Sequence, residues 1–179
     1  MKLDVVFSPH DLAAGDVAGR PVFVIDILRA MTTICAAIHN GARAIIPAPS
    51  AEEAIKLSQT LGREDTVLAG EQNCLPIPGF ALGNSPGEMT REAVGGKTVV
   101  MRTTNGTRAL LATQGASDVH PIVAANMTVT ASRARELFET HDSMLVLCGG
   151  RENGFSIDDA YCAGRLLEAL LDGRRPPGL

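Results

Sequence analysis

The stretch KTVVMRTTNGTRAL, residues 97–110, changes character half-way along its length. Its first part is an apolar, β-branched run that favours a strand, and the part that begins at Gly106 has the pattern of a helix. Small polar residues lie between them, with Arg102 before these residues and Arg108 after Gly106. A strand that leads directly into a helix is typical of an α/β protein, so this stretch predicts the fold class.

The same alternation of strand and helix continues through the chain. It predicts an α/β fold with a largely parallel or mixed sheet covered by helices. No repeat, low-complexity tract or linker interrupts the sequence, so we expect residues 1–179 to form a single domain. Strands are predicted at residues 3–7, 22–27, 44–47, 66–69, 97–103, 119–123 and 144–147.

Capping residues mark several of the predicted helices. The first helix is expected from residue 30 to residue 40, and the second, SAEEAIKLSQTLG, begins at Ser50. SPGEMTREA is predicted to be a helix capped by Ser85. TVTASRARELFETH and SIDDAYCAGRLLEALLDG are predicted to be the last two. The final residues, DGRRPPGL, are expected to be a frayed or cut end because proline cannot extend a helix.

Composition argues against several classes of protein. The chain of 179 residues is 45% apolar and 20% charged, as expected for a soluble globular protein. A net charge of −4, 3% aromatic residues and no basic run longer than Arg174-Arg175 argue against a nucleic-acid partner. No apolar stretch approaches the ~20 residues of a membrane span, and the first residues lack a signal-peptide core. We therefore expect a cytoplasmic protein with no membrane partner and, on base rates alone, a homodimer.

Polar residues gather where predicted strands end, which is where ligands bind in open α/β sheets. Threonine hydroxyls, amides and arginines at these places suit an anion such as phosphate, and Gly106 lets the backbone approach one closely. The same residue types also cap helices, and the sequence leaves both interpretations open. The candidates are Asp26, Arg29, Thr32, Thr33, Glu71, Thr103, Thr104, Asn105, Thr107 and Arg108.

Three carboxylates are candidate ligands for a hard cation. Asp26 and Glu71 are the best placed to hold Mg²⁺, which takes oxygen ligands and keeps several waters. Asp158 is a third candidate, because the pair Asp158-Asp159 follows another glycine-rich strand end. Structural alternatives remain: Asp26 can pair with Arg29, and acidic residues in the first turn of a helix can simply satisfy its dipole, the interpretation we favour for Asp159.

Other catalytic patterns are weak or absent from the sequence. The four histidines have no zinc-binding spacing, and GxGxxG and GxxxxGK[ST] do not occur. Cys148 ends an apolar strand before two glycines. It is a candidate nucleophile, although such a cysteine is more often a small core residue.

Five blocks together carry a more specific signal: VIDILRAMTT, AGEQN, GFALGNSP, RTTNGTRAL and LCGGRENGFSIDDAYCAG. In this order they resemble the signature blocks of the 2-phosphosulfolactate phosphatase family (ComB-like), and they cover residues 24–164. The resemblance implies a three-layer α/β/α fold. It also implies Mg²⁺-dependent hydrolysis of 2-phosphosulfolactate to sulfolactate and phosphate, a step toward coenzyme M in archaea. Because many bacterial members have no obvious need for coenzyme M, a related phosphorylated hydroxy acid is an alternative substrate.

Two departures from the family pattern stand out. Met31 lies in RAMTT where the family commonly has threonine or serine. Family members also usually continue beyond the last helix, so we expect that the chain is a fragment truncated at its C-terminus or that the further segment is dispensable.

The implied substrate carries three anionic groups and therefore needs several cationic or donor-rich partners. Arg29, Arg108 and Arg151 are available near strand ends, whereas Arg102 alternates with Thr103 and either belongs to the site or points away from it. A non-catalytic binding protein for a phosphorylated or sulfonated metabolite is the alternative function. We expect a catalytic set of Asp26, Arg29, Glu71 and Asn105, a metal set of Asp26, Glu71 and Asp158, and a substrate-binding set of Thr32, Thr33, Thr103, Thr104, Thr107, Arg108 and Arg151.

Overall fold

The computed structural model of the chain describes residues 2–171. The strands are β1 (Lys2–Val6), β2 (Pro21–Ile25), β3 (Ala44–Pro47), β4 (Thr66–Gln72), β5 (Leu75–Pro76), β6 (Thr98–Arg102), β7 (Asp118–Ile122) and β8 (Ser143–Cys148). The α-helices are α1 (Ala30–His39), α2 (Ala51–Leu61), α3 (Arg91–Val94), α4 (Gly106–Leu111), α5 (Met127–Thr140) and α6 (Ile157–Leu171). Short 3₁₀ helices lie at Pro9–Asp11, Pro86–Glu88 and Ala124–Asn126.

The described chain divides into two compact units. Unit 1 contains the residues up to Ile27 and those from Thr113 onward, and unit 2 is Leu28–Ala112. Whether the two units together form the single domain expected from the sequence stays a prediction.

Unit 1 contains a four-stranded parallel sheet in the order β1-β8-β2-β7. All five residues of β2 are buried, because it is an interior strand. Helices α5 and α6 cover one face of the sheet through small and branched side chains. The resulting core contains Phe23, Ile25, Ile122, Ala131, Ala134, Leu137, Met144, Val146, Cys148, Cys162, Ala163 and Leu166.

Unit 2 contains the second sheet, in the order β3-β6-β4-β5. Strands β3, β6 and β4 are parallel, and β5 pairs with β4 as a short antiparallel hairpin. Helix α2 packs on one face of this sheet, where Val100 and Ala54 lie in one apolar cluster. Because the carboxyl ends of parallel strands meet at one edge, Glu71 on β4 and Thr103 after β6 are brought to the same edge.

The predicted α/β class is confirmed, with helices flanking parallel and mixed sheets, in keeping with a three-layer α/β/α fold. Each predicted strand is present within one to three residues of its expected ends. The sequence pattern did not show that the strands form two sheets, nor did it show β5. No described helix, from Lys2 to Leu171, is long and apolar enough to cross a membrane.

One helix prediction was wrong. SPGEMTREA forms a 3₁₀ helix and the separate α3, which is capped by Thr90 through a 3.3 Å hydrogen bond from the amide of Ala93. Ser85 makes no capping hydrogen bond. Glu88, the last residue of this 3₁₀ helix, accepts the N–H of Gly83 at 2.6 Å. The predicted frayed or cut end, residues 172–179, lies outside the described residues.

Candidate active site

Asp26 lies at the carboxyl edge of the sheet in unit 1, directly after β2. Only 8% of its surface is exposed. Gly149, directly after β8, packs against it: a Cβ atom on Gly149 would lie 3.0 Å from the Cβ of Asp26 and 3.3 Å from its Oδ2. The amide of Gly149 also donates to the carbonyl of Ile25 at 2.5 Å. The glycine therefore leaves room for a buried carboxylate at this edge.

Asp159 is the second buried carboxylate of unit 1, with 3% of its surface exposed. Its Oδ1 accepts the N–H of Ile27 at 3.0 Å, and its Oδ2 accepts the N–H of Gly150 at 3.1 Å. Burial, with a smaller contribution from the charge of Asp26, raises the pKa of Asp159 to about 7. Asp159 thus joins the loops that follow β2 and β8, and it lies close enough to Asp26 for their charges to interact.

Asp158 is less buried than its neighbour and accepts a hydrogen bond from the hydroxyl of Ser156. Arg151 is exposed and begins a tight turn that its backbone closes with Gly154 at 3.0 and 2.8 Å. Glu152 and Asn153, at the tip of that turn, both have a left-handed backbone, with φ of 52° and 64°. Asp158 and Arg151 thus lie in the segment that follows the glycine-rich end of β8, and their part in a site with Asp26 stays a prediction.

Cys148 is fully buried in the apolar core of unit 1. Burial, with a smaller contribution from Asp159, raises the pKa of its thiol to about 12. A thiol with this pKa is protonated at neutral pH, whereas the thiolate is the nucleophile. The structure thus favours the core interpretation of Cys148 over the nucleophilic one.

Glu71 joins two loops of unit 2. Its Oε1 accepts the N–H of Thr104 at 2.7 Å, and its Oε2 accepts the N–H of Cys74 at 2.6 Å and the hydroxyl of Thr104 at 2.9 Å. The hydroxyl of Thr104 in turn accepts the N–H of Asn73 at 2.8 Å. With 8% of its surface exposed, Glu71 uses both carboxylate oxygens to hold the loop after β6 against the turn after β4.

Thr103 and Thr107 are buried and bond each other across the start of α4. The Thr103 hydroxyl accepts the N–H of Thr107 at 3.0 Å, while the Thr107 hydroxyl donates to the carbonyl of Thr103 at 2.7 Å. The structural interpretation of these threonines is therefore supported, since each hydroxyl already bonds the backbone. Thr103 caps the helix through this bond from Thr107, whereas Asn105, the residue directly before α4, makes no side-chain capping bond.

The two cationic candidates of unit 2 after β2 and β6 lie at the surface. Arg29 and Arg108 are exposed, and Arg108 lies 3.4 Å from the carbonyl of Thr104.

Thr32 is half-buried in the first turn of α1, while Thr33 is fully buried and donates its hydroxyl to the carbonyl of Asn84 at 3.1 Å.

Arg102 lies on the other face of the sheet from Glu71. Side chains two residues apart on a strand share a face, so Arg102 lies on the face of Val100, which packs against α2. The charge of Arg102 also adds to the hydrogen bonds that lower the pKa of Glu52 on α2. Its Nε and Nη1 atoms are buried and have no hydrogen-bond partner among the described residues. Arg102 therefore points away from Thr103 and Glu71.

With the geometry described, comparison with known proteins identifies the family. The sequence profile of the 2-phosphosulpholactate phosphatase family matches residues 6–176. The chain belongs to this family. It is 37% identical over 174 residues to a probable 2-phosphosulfolactate phosphatase of Clostridium novyi. The aligned residues make up 97% of this chain and 72% of the relative. The corresponding protein of Clostridium beijerinckii is 38% identical over 175 residues, with 98% and 72% covered.

A further relative, the probable 2-phosphosulfolactate phosphatase of Symbiobacterium thermophilum, is 39% identical over 163 residues, or 91% of this chain and 69% of the relative. The resemblance seen in the five blocks is thus confirmed over nearly the whole chain. The predicted class of enzyme, a phosphatase acting on a phosphoric monoester, is confirmed with it.

A phosphatase of this family raises the question of a metal ion. Within residues 2–171, no three His, Cys, Asp or Glu side chains form a group that could hold one. Mg²⁺, however, is usually held by one or two carboxylates together with water and substrate phosphate. Asp26, a buried carboxylate at a strand end, has the oxygen chemistry that such a site needs. Both oxygens of Glu71 accept hydrogen bonds.

Sequence reasoning gave too little weight to Asp159 and did not single out Asn84. The helical spacing of α6 could have placed Asp159, because Asp159, Cys162, Ala163 and Leu166 recur on one face and are all buried. Asn84 lies in the GFALGNSP block and is 8% exposed. No local pattern distinguishes it from an ordinary loop residue.

Proposed function

We propose that this chain hydrolyses 2-phosphosulfolactate, or a related phosphorylated hydroxy acid, to the free hydroxy acid and phosphate, with Mg²⁺ as its cofactor. The match to the 2-phosphosulpholactate phosphatase family carries the proposal. The curated relatives support it through their names, each of which assigns that activity to the relative.

Asp26 and Asp158 of unit 1 would hold the cation. When bound, Mg²⁺ would act as a Lewis acid toward the phosphoryl oxygens. Glu71 is the weaker of the expected ligands, because its oxygens already accept three hydrogen bonds. We assign it instead the task of positioning Thr104.

Cationic and amide side chains are the candidates to bind the anionic groups of the substrate. Unit 2 offers the exposed Arg29 and Arg108 and the half-buried Asn105, and unit 1 separately offers the exposed Arg151. Guanidinium groups pair with phosphate through planar, charged hydrogen bonds, and fixed positive charge stabilises the negative charge of the phosphoryl oxygens in the transition state. The net charge of −4 does not oppose this, since local charge governs binding at a site.

Phosphate release from 2-phosphosulfolactate and a panel of phosphorylated hydroxy acids tests the proposal. We expect turnover with Mg²⁺, little with EDTA, and a loss of at least about 100-fold in kcat for Asp26→Asn, as expected for a group that stabilises transition-state charge. The matched control is Asp142→Asn, which changes an exposed aspartate of the same unit and should keep normal turnover.

The outcomes separate the candidate functions. Turnover that is unaffected by EDTA would refute the cofactor assignment. Binding of the substrate panel without any phosphate release would instead favour the non-catalytic binding protein. Cytoplasmic location and the lack of a nucleic-acid partner stay predictions from the sequence, and a homodimer stays an expectation from base rates.

A further inference from the structure

Asn84 is a buried polar side chain without a partner for its amide oxygen. Only 8% of its surface is exposed, and its Oδ1 is fully buried with no hydrogen bond among the described residues. A buried amide that forms no hydrogen bond costs free energy because it has lost its hydration. An unpaired buried group of this kind calls for an explanation. One explanation is that the group forms its hydrogen bond with a bound ligand.

The backbone around Asn84 is fixed by hydrogen bonds from three directions. The N–H of Gly70 donates to the carbonyl of Gly83 at 3.1 Å, and the N–H of Gly83 donates to Glu88 at 2.6 Å. The hydroxyl of Thr33 donates to the carbonyl of Asn84 itself at 3.1 Å. The side chain therefore keeps its buried position because the surrounding fold holds it there.

The position of Asn84 matches that of a ligand-binding residue. A parallel bridge between Ala69 and Leu82 aligns the two segments, so that Asn84 is level with Glu71 at the carboxyl edge of the sheet in unit 2. Thr33, which bonds the Asn84 carbonyl, lies in the first turn of α1. Strand ends followed by helix starts are where open α/β sheets bind anions.

We propose that the amide of Asn84 donates a hydrogen bond to an anionic oxygen of the substrate. The two ends of an amide are nearly the same size, so the nitrogen can occupy the position of the unpartnered oxygen when an anion is bound. The assignment rests on the proposed function, to which it adds a binding residue from the GFALGNSP block.

Three variants test it: Asn84→Ala, Asn84→Asp and Asn40→Ala. Asn40 is the matched control, because it lies at the other end of α1 and its amide donates to the carbonyl of Met89 at 2.6 Å. KM for phosphate release and the affinity for inorganic phosphate and sulfolactate, by calorimetry, are measured for each. The midpoint of thermal unfolding without ligand is measured alongside.

For Asn84→Ala we expect KM and the product dissociation constants to rise about tenfold or more, which corresponds to the loss of one hydrogen bond to a charged group. Asn84→Asp keeps the shape of the side chain and should bind anions still more weakly because its carboxylate repels them. Asn40→Ala should keep normal KM and lower the unfolding midpoint more than Asn84→Ala does, since only Asn40 loses a partner.

Unchanged KM and product affinity in both Asn84 variants would overturn the proposal. So would a normal or tighter affinity in Asn84→Asp, because it would show that the amide oxygen meets a donor or a cation. Failure of the unmodified protein to release phosphate would refute the proposed function alone, since product binding would still decide the role of Asn84. A protein that binds neither product would overturn the Asn84 assignment as well.

Discussion

Glu71 shows how a single residue can hold a candidate site together. The sequence predicted it as a metal ligand and catalytic group because it is a carboxylate near the end of a strand. In the structure it accepts two backbone N–H groups and one hydroxyl, from Thr104 and Cys74. Hydrogen bonds to an ionised carboxylate are among the stronger ones in proteins. Its first contribution is therefore to the order of the Thr104 loop.

Replacing Glu71 with glutamine tests this contribution. In Glu71→Gln one carboxylate oxygen, which accepts hydrogen bonds, is replaced by an NH₂ group, which only donates them. At least one N–H therefore loses its acceptor. We expect the free energy of unfolding, measured by urea denaturation, to fall by about 2 kcal/mol.

Glu53→Gln is the control, because Glu53 is exposed on α2 and its carboxylate pairs with the exposed Lys56 at 2.8 Å. It should leave the urea midpoint nearly unchanged. A Glu71→Gln protein as stable as the unmodified one would show that the carboxylate is free to serve another role.

Helix α2 and the segment SPGEMTREA carry similar capping signals and differ in outcome. Ser50 accepts the N–H of Glu53 at 3.2 Å, as the sequence predicted. Ser85 stands in the same pattern and makes no such bond, because the chain after it forms a 3₁₀ turn and then restarts as α3 at Thr90. A capping pattern thus marks a possible helix start, and packing of the whole segment decides whether the helix forms.

The two serines make a matched pair for an experiment at the level of the element. We expect Ser50→Ala to lower the free energy of unfolding by about 1 kcal/mol, because it removes a cap. Ser85→Ala should change it by less than about 0.5 kcal/mol, as usual for a surface substitution that breaks no specific interaction. Chemical denaturation measures both, and equal losses for the two variants would contradict the capping assignment.

At the scale of the whole molecule, stability depends on pH through groups whose pKa is shifted by burial. His120 on β7 stacks on Phe23 with ring centroids 5.1 Å apart, and its Nε2 is buried without a partner among the described residues. Burial lowers the pKa of His120, Asp118 acts in the opposite direction, and Arg133 adds a smaller lowering effect. Protonating the ring is thus less favourable in the folded chain than in the unfolded one.

The contribution of His120 to the free energy of unfolding should therefore be largest above about pH 6.5 and fall as the pH drops below that value, where the unfolded histidine gains its proton first. Asp159 acts in the opposite direction, because a carboxyl group whose pKa burial raises to about 7 in the folded chain favours folding more as the pH falls. Urea denaturation between pH 8 and pH 5 measures this slope. His120→Phe keeps an aromatic ring against Phe23 and should flatten the part of the slope that His120 causes. The same slope in both proteins would show that other groups are responsible.

Much of the fold could be predicted because its signals are local. Strand β3 was predicted with its observed ends, and α1 ends at the predicted Asn40-Gly41 pair, where Gly41 has a φ of 91°. The grouping of strands could not be predicted, because β1 pairs with β8 and the chain leaves unit 1 after Ile27 to return at Thr113. Pairing between strands far apart in sequence leaves no local pattern.

The sequence by itself determined the α/β class, the places where polar residues follow strands and, through five blocks in order, the family. Only the tertiary structure decided what those residues contact: that Glu71 bonds Thr104, that Asp159 and not Asp158 is buried beside Asp26, and that the side-chain oxygen of Asn84 is buried without a partner among the described residues. The physical reason is distance along the chain. Glu71 and Thr104 are 33 residues apart, and a hydrogen bond between them exists only once folding has brought their strands together.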